Sequence, residues 1–370
     1  MALFEKYLTE FLDSERKKYN LPGYDCSVYH HGKEIYRHMA GYRDAESRQP
    51  ITKDTLYYVF SNTKVITCVA ALQLYERGKF LLEDRLDYFF PEMGKMKVKT
   101  ATGIKEAENP ITIRDLFCMT SGLGSGTISE EMGRKIYMEH GGCLYPLDMP
   151  KYLAEIPLEF EPGTQFLYGI SHEMLAALIE KITGERFSEY LKNHIFKPLG
   201  MENTGFYPEQ LKSRERATLY RYCGPEKEMI SYGLSSCIIP PVLQECASGG
   251  IITTVDDYML FQEALCRGES ILRRSTIELM RLDQLKGEQR KGYGYTNVGK
   301  GYGLGVRTII NQAECGSPIG FGPFGWGGAA GTYGSIDPEN ELTIFYAQHM
   351  FDTDAERTGH LIRNIIYSFL

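Results

Sequence analysis

The segment VITCVAALQLY at positions 65–75 is apolar on nearly every side. A helix with that pattern cannot lie on a surface and has to run through a core. The chain around it has 370 residues, enough to build such a core in a two-lobed unit without disulfides or a metal. Gly78 is placed to close the helix as a C-cap. At its mouth stands Ser61-Asn62-Thr63-Lys64. A spacing of three puts Ser61 and Lys64 on one helical face, within hydrogen-bond reach. The unpaired N–H groups and partial positive charge of a helix N-terminus favour an oxyanion at that position. Lys64 runs straight into Val65, Ile66 and Val69, so its ammonium would lose hydration. That cost is tolerable where the amine serves as a base for a hydroxyl nucleophile. An arbitrary S-x-x-K is more often a Ser cap followed by a surface Lys; here the apolar flanks on both sides point to function.

Charge and composition close off other classes. With 41 basic and 48 acidic side chains the net charge is −7, against a dedicated nucleic-acid binder and against attraction to an anionic membrane surface. No apolar run reaches the roughly 18 residues of a membrane span. Glu5, Glu10, Asp13 and Glu15 interrupt the N-terminal stretch, while Leu3, Phe4, Tyr7, Leu8, Phe11 and Leu12 mark one face of a helix; this reads as an amphipathic helix and not a secretory leader. The nine Cys are odd in number and form no C-x-x-C pair. Reduced thiols in a cytoplasmic protein are expected, with no zinc site, no disulfide framework and no cofactor. There is no G-x-S-x-G, and His172-Glu173 lacks the second His of a zincin. The formal G-x-G-x-x-G at 320–325 contains Pro and leads into no helix, so it is no dinucleotide site.

Periodicity predicts strands at 24–29 and 34–40 around the turn His31-Gly32-Lys33, and again at 302–310, 331–336 and 342–348. It predicts helices at 171–183 (closed by Gly184), at 187–196, from the cap Thr254 through 265, and at 352–370. The charged, Gly-rich run 283–302 reads as a mobile loop. The simplest assembly is an α/β lobe from 1–79 and 246–370 with a helical lobe, 80–245, inserted into it. A cleft between two such lobes is a natural place for a small-molecule substrate.

Two further segments bear on chemistry. FEPGTQFLY at 160–168 sets Tyr168 just before the helix at 171–183. FGWGGAAGT at 324–332 is a Gly-rich strand that lets a backbone come close to a ligand.

With these, the chain resembles the serine β-lactamase and penicillin-binding-protein superfamily. Within it, it is similar to the class C-related β-lactamase-like esterases and peptidases (the family VIII esterase branch). The resemblance runs over nearly the whole chain, through YYVFSNTKVITCVAALQLYERGKFLLEDRLDYFFPEM, ITIRDLFCMTSGL (Met119 where His is common), FEPGTQFLYG and HIFKPLGMENTGF. It implies an α+β fold: an antiparallel sheet built from both chain ends, flanked by helices, with an inserted mainly helical lobe. By position, it implies Ser61 as acylated nucleophile, Lys64 as its base partner and Tyr168 as proton relay. The backbone N–H groups of Ser61 and Ala329 would form the oxyanion hole. Trp326-Gly327-Gly328 would stand where the family carries a Lys-Thr-Gly strand.

Two departures shape the expected function. The Asn of the family's Y-x-N motif is Ile170 here, with Ser171 as the nearest polar substitute, so both are expected at the substrate. The strand Lys that helps bind a substrate carboxylate is Trp326, which offers an apolar face and one N–H donor. The resemblance therefore implies a metal-independent serine hydrolase acting on small esters or amides through an acyl-enzyme. Of the same fold, a D-amino-acid peptidase or amidase, a weak β-lactamase and an acyltransferase stand as alternatives, and so does a non-catalytic ligand-binding or scaffold protein. His172 is expected on a solvated helix face.

Overall fold

The computed structural model describes residues 3–124, 130–141, 144–224, 230–231, 245–293 and 298–370. Among these, eight strands form one antiparallel sheet: β1 (Gly23–His30), β2 (Lys33–Asp44), β3 (Gln49–Pro50), β4 (Lys300–Tyr302), β5 (Arg307–Ile309), β6 (Phe324–Gly325), β7 (Tyr333–Asp337) and β8 (Leu342–Gln348). Their spatial order is β4-β5-β6-β7-β8-β1-β2-β3. The two chain ends meet where β1 pairs with β8, Cys26 opposite Tyr346.

Alternation along β8 sorts its side chains onto two layers. Leu342, Ile344 and Tyr346 join Tyr24, Cys26 and Val28 of β1 under Leu8 and Leu12 of α1 (Leu3–Tyr19) and Ile362 and Ile366 of the C-terminal helix (Ala355–Tyr367). Phe345 and Ala347 point the other way, into the main core. There they meet the helix Val255–Arg267, whose Tyr258 ring stacks on Phe345 at 4.2 Å. That helix begins where Thr254 accepts a hydrogen bond from the Asp257 amide, as the sequence leads one to expect.

The main core is continuous from the sheet through α2 (Thr63–Glu76) into the helix-rich segment beyond it. In α2 every residue from Thr63 to Leu74 is buried. The helix Ser171–Thr183, labelled α3 below, packs across it and ends at Gly184 with φ +74°. The hairpin Lys97–Thr100/Gly103–Glu106 interrupts this largely helical part of the chain.

Two local expectations need correction. The run 283–302 holds a short helix, Gly287–Tyr293, and strand β4. Tyr293 anchors it, edge-on against Phe166 and Tyr302. The predicted strand at 302–310 is two strands, since the chain turns between Tyr302 and Arg307, which pair with each other.

Candidate active site

The short strand Tyr57–Tyr58 pairs with Ile252–Thr253 and delivers the chain to a 3-10 turn, Phe60–Asn62, that runs straight into α2. Phe60 has φ +43°, a left-handed backbone that costs a non-glycine residue on the order of 1 kcal/mol or more. The surroundings hold it there. Asn62 Nδ2 donates to Thr332 Oγ1 at 2.8 Å, Thr332 Oγ1 donates to the Val59 carbonyl at 3.2 Å, and Tyr258 Oη donates to the Asn62 carbonyl at 3.1 Å. The turn that carries Ser61 is thus bolted to the loop after Trp326. Gly328 is required by the same approach, since a Cβ there would collide with the Val59 carbonyl and with Thr332 Oγ1.

Lys64 is 4 % exposed. Its Nζ donates to Ser61 Oγ at 3.3 Å and to the Ser248 carbonyl at 2.6 Å, and it lies over the Tyr168 ring, 4.7 Å from the centroid. The ammonium therefore has one anchor, one neighbouring hydroxyl and one aromatic face. The anchor is itself anchored. Glu173 of α3 is fully buried and accepts hydrogen bonds from the Ala247 and Ser248 amides, both at 2.9 Å, and from Cys246 Sγ at 3.3 Å. Burial pushes the Glu173 carboxyl up, against these donors and the nearby Lys64 charge, which hold it down. Thr67 Oγ1 donates to the Ala247 carbonyl at 2.8 Å, and the Ile251 amide donates to Thr63 Oγ1 at 3.1 Å, so segment 246–251 is stitched along α2.

Trp326 follows β6, and the strand continues beside β7: Gly327 bridges to Tyr333, and the Gly334 amide donates to the Trp326 carbonyl at 2.8 Å. The indole stacks on Tyr168 (centroids 5.5 Å, planes 22° apart), and Nε1 donates to Tyr168 Oη at 3.0 Å. Tyr302 meets the indole edge-on. Tyr168 is 37 % exposed, so it is a cavity wall and not core packing. Among the described residues, no backbone carbonyl accepts from the Ala329 amide, which lies in the exposed turn beyond Gly328.

These residues surround a cavity of about 440 Å³. Ser61, Tyr168, Trp326, Gly327, Gly328 and Ala329 all line it. Ile170 and Ser171, expected at the substrate, do not. Ile170 is 5 % exposed and belongs to the core, and Ser171 Oγ shares a 2.8 Å hydrogen bond with buried Ser121 Oγ. The first residues of α3 turn inward because its buried face packs on α2. His172 follows them: it is fully buried, not solvated, with Nε2 donating to the Phe117 carbonyl at 3.3 Å while Cys68 Sγ lies 3.6 Å from the same nitrogen. Burial, then the Lys64 charge, pushes its pKa down to about 3, which keeps the ring neutral. Sequence reasoning also missed Glu173 and Arg307, the latter a cavity-lining residue from β5. A glutamate at the head of the apolar run Met174–Ile179 was the available signal for the first.

The β-lactamase family model matches residues 4–365. The chain belongs to the β-lactamase family. Among curated relatives, Protein Rv1367c of Mycobacterium tuberculosis is 30% identical over 365 residues, covering 93% of this chain and 90% of that protein. Esterase EstB of Burkholderia gladioli is 27% identical over 366 residues, covering 91% and 88%. Among solved structures, EstCE1, described as a hydrolase with promiscuous acyltransferase activity, superposes with a TM-score of 0.81 at 24% identity, covering 98% of this chain and 99% of that one. Simvastatin synthase (LovD) of Aspergillus terreus gives 0.82 at 22%, covering 100% and 99%. These likenesses bear out the β-lactamase/transpeptidase-like fold with its antiparallel sheet and flanking helices. Members of the β-lactamase family are mostly serine hydrolases, and this chain's relatives include an esterase. Among the described residues, no helix is long and apolar enough to cross a membrane.

Proposed function

We propose that the protein hydrolyses small esters through an acyl-enzyme on Ser61. The observation that carries this reading is the 3.3 Å contact between Lys64 Nζ and Ser61 Oγ at the wall of a cavity. In this account Lys64, acting as the neutral amine, takes the hydroxyl proton as Ser61 Oγ attacks the ester carbonyl. The Ser61 and Ala329 amides stabilise the oxyanion, each donor contributing about 3–4 kcal/mol to the transition state. The alcohol leaves with a proton delivered through Tyr168, and water, deprotonated by the same pair, releases the acid and restores Ser61. Trp326 takes the place of a strand cation and fixes the Tyr168 hydroxyl by donating to it, which favours ester chemistry over β-lactam turnover. The esterase relative supports the same choice. We place the protein in the cytoplasm on its thiols: Cys26, Cys68, Cys118, Cys223, Cys246, Cys266 and Cys315 are all free, and most are buried.

The test is steady-state turnover of 4-nitrophenyl acetate and butyrate. Wild type should hydrolyse both, and Ser61→Ala should lose about 10⁴-fold or more in kcat. Equal rates in the two proteins would overturn the assignment.

A further inference from the structure

The cavity wall is not only aromatic. Arg307 of β5 pairs across the sheet with Gly325, one residue before Trp326, and it lines the cavity although only 6 % exposed. Its guanidinium sits over the Tyr333 ring, 5.0 Å from the centroid. Among the described residues, no carboxylate lies within ion-pair distance of it and its side chain donates no hydrogen bond. A buried, unpaired cation is costly and calls for a partner.

The neighbourhood strengthens the case. Lys300 of β4 is 8 % exposed, and Arg363 of the C-terminal helix is 3 % exposed with its Nε unpartnered. Against these cations the same cavity wall offers one acidic residue, Glu356. Its exposed carboxylate is 3.1 Å from Lys300 Nζ and 3.7 Å from His360 Nε2. Burial and then the charges of Arg307, Lys300 and Arg363 push the His360 pKa down to about 2, so this ring adds no further charge.

We propose that Arg307, backed by Lys300 and Arg363, is an anion-binding subsite of the cavity, and that the preferred substrates are carboxylate-bearing esters. The planar guanidinium fork suits a carboxylate, which it can hold through two parallel hydrogen bonds. The nearby Glu356 carboxylate disfavours a dianion, so a singly charged group fits best. The loss of a strand cation at Trp326 is then offset on the adjacent strand. The substrate class rests on the hydrolase reading; the anion site itself does not.

The experiment measures benzoate and benzamide binding by calorimetry in a Ser61→Ala background, where no turnover intervenes. Benzoate should bind about 10- to 100-fold more tightly than benzamide, the range expected of a charge-assisted pair. Arg307→Gln should abolish the difference and Arg307→Lys should retain part of it. Equal affinities for the two ligands, or a benzoate preference that survives Arg307→Gln, would overturn the proposal. Should Arg307→Gln fail to fold, Glu356→Gln decides: it should tighten benzoate alone by about 2- to 5-fold, and unchanged benzoate binding counts against the site. In active enzyme, 4-nitrophenyl monoadipate should exceed 4-nitrophenyl hexanoate in kcat/KM by the same 10- to 100-fold. A benzoate preference without any ester turnover would sink the hydrolase reading and leave the anion site standing.

Discussion

The two sides of the cavity are built by different means. On the inner side, Ser61 and Lys64 are held by buried or partly buried contacts: Thr332 on Asn62 and Val59, Ser248 on Lys64, and Glu173 under Ser248. On the outer side, Tyr168 and Trp326 hold each other by one exposed hydrogen bond and one ring stack, with Tyr302 edge-on to the indole. A buried hydrogen bond is expensive to break because both partners lose their only option, whereas an exposed one is exchanged for water at little net cost. The inner side can therefore fix atoms to a fraction of an ångström, and the outer side can adapt to what enters. Substitutions on the first should strike kcat, and those on the second should be milder and spread into KM.

The largest break in that contrast comes from Glu173→Gln. Glu173 touches no reacting atom; it positions the carbonyl that holds Lys64. Gln accepts with one oxygen and brings an N–H against the amides of Ala247 and Ser248. A misplaced Lys64 should lower kcat by about 10²-fold with KM changed far less. Equal changes in kcat and KM, or only a fall in Tm, would mean that Glu173 is merely structural. Trp326→Phe keeps the ring and removes the donor to Tyr168, so kcat/KM should fall by about 2- to 10-fold, as for one exposed neutral hydrogen bond. A loss as large as that of Glu173→Gln would erase the distinction between the two sides.

The smallest effect is on stability. His172 lies on the inner side with its pKa pushed down to about 3 from 6.5. Between those values the unfolded chain binds the extra proton, so stability falls as pH drops from about 6.5, by at most about 1.4 kcal/mol per pH unit for this one group. His349, pushed down to about 4 by burial, acts in the same direction. Asp25, raised to about 7 mainly by burial, acts oppositely between about 4 and 7. Neither is altered in His172→Asn, so its unfolding free energy should lose less per pH unit between pH 6 and 4 than that of wild type. Parallel acid limbs would show that His172 does not bear on acid stability.

Much of the interior was legible in the sequence because it is written in local periods. The all-apolar pattern of 65–75 predicts α2, which spans Thr63–Glu76 and is buried from Thr63 to Leu74. The i, i+3 spacing brings Ser61 and Lys64 together. The strands at 24–29 and 342–348 follow from alternation and pair with each other. What was not legible depends on partners far along the chain. Glu173 meets residues more than 70 positions away. Arg307 becomes a cavity residue only when β5 is laid beside β6. The Gly287–Tyr293 helix is too short to announce itself and is secured by rings from Phe166 and Tyr302. The family pattern led to Tyr168 and Trp326, but carried Ile170 and Ser171 to the substrate, because position in a motif does not say which way a residue turns at the head of a packed helix.

The central claim is that the inner side presents one activated hydroxyl. Intact-protein and peptide mass spectrometry after reaction with a fluorophosphonate tests it most directly. The account predicts a single adduct on the peptide that carries Ser61, absent in Ser61→Ala and much slower to form in Lys64→Met. Equal labelling of wild type and Ser61→Ala, or no labelling of either, would contradict it.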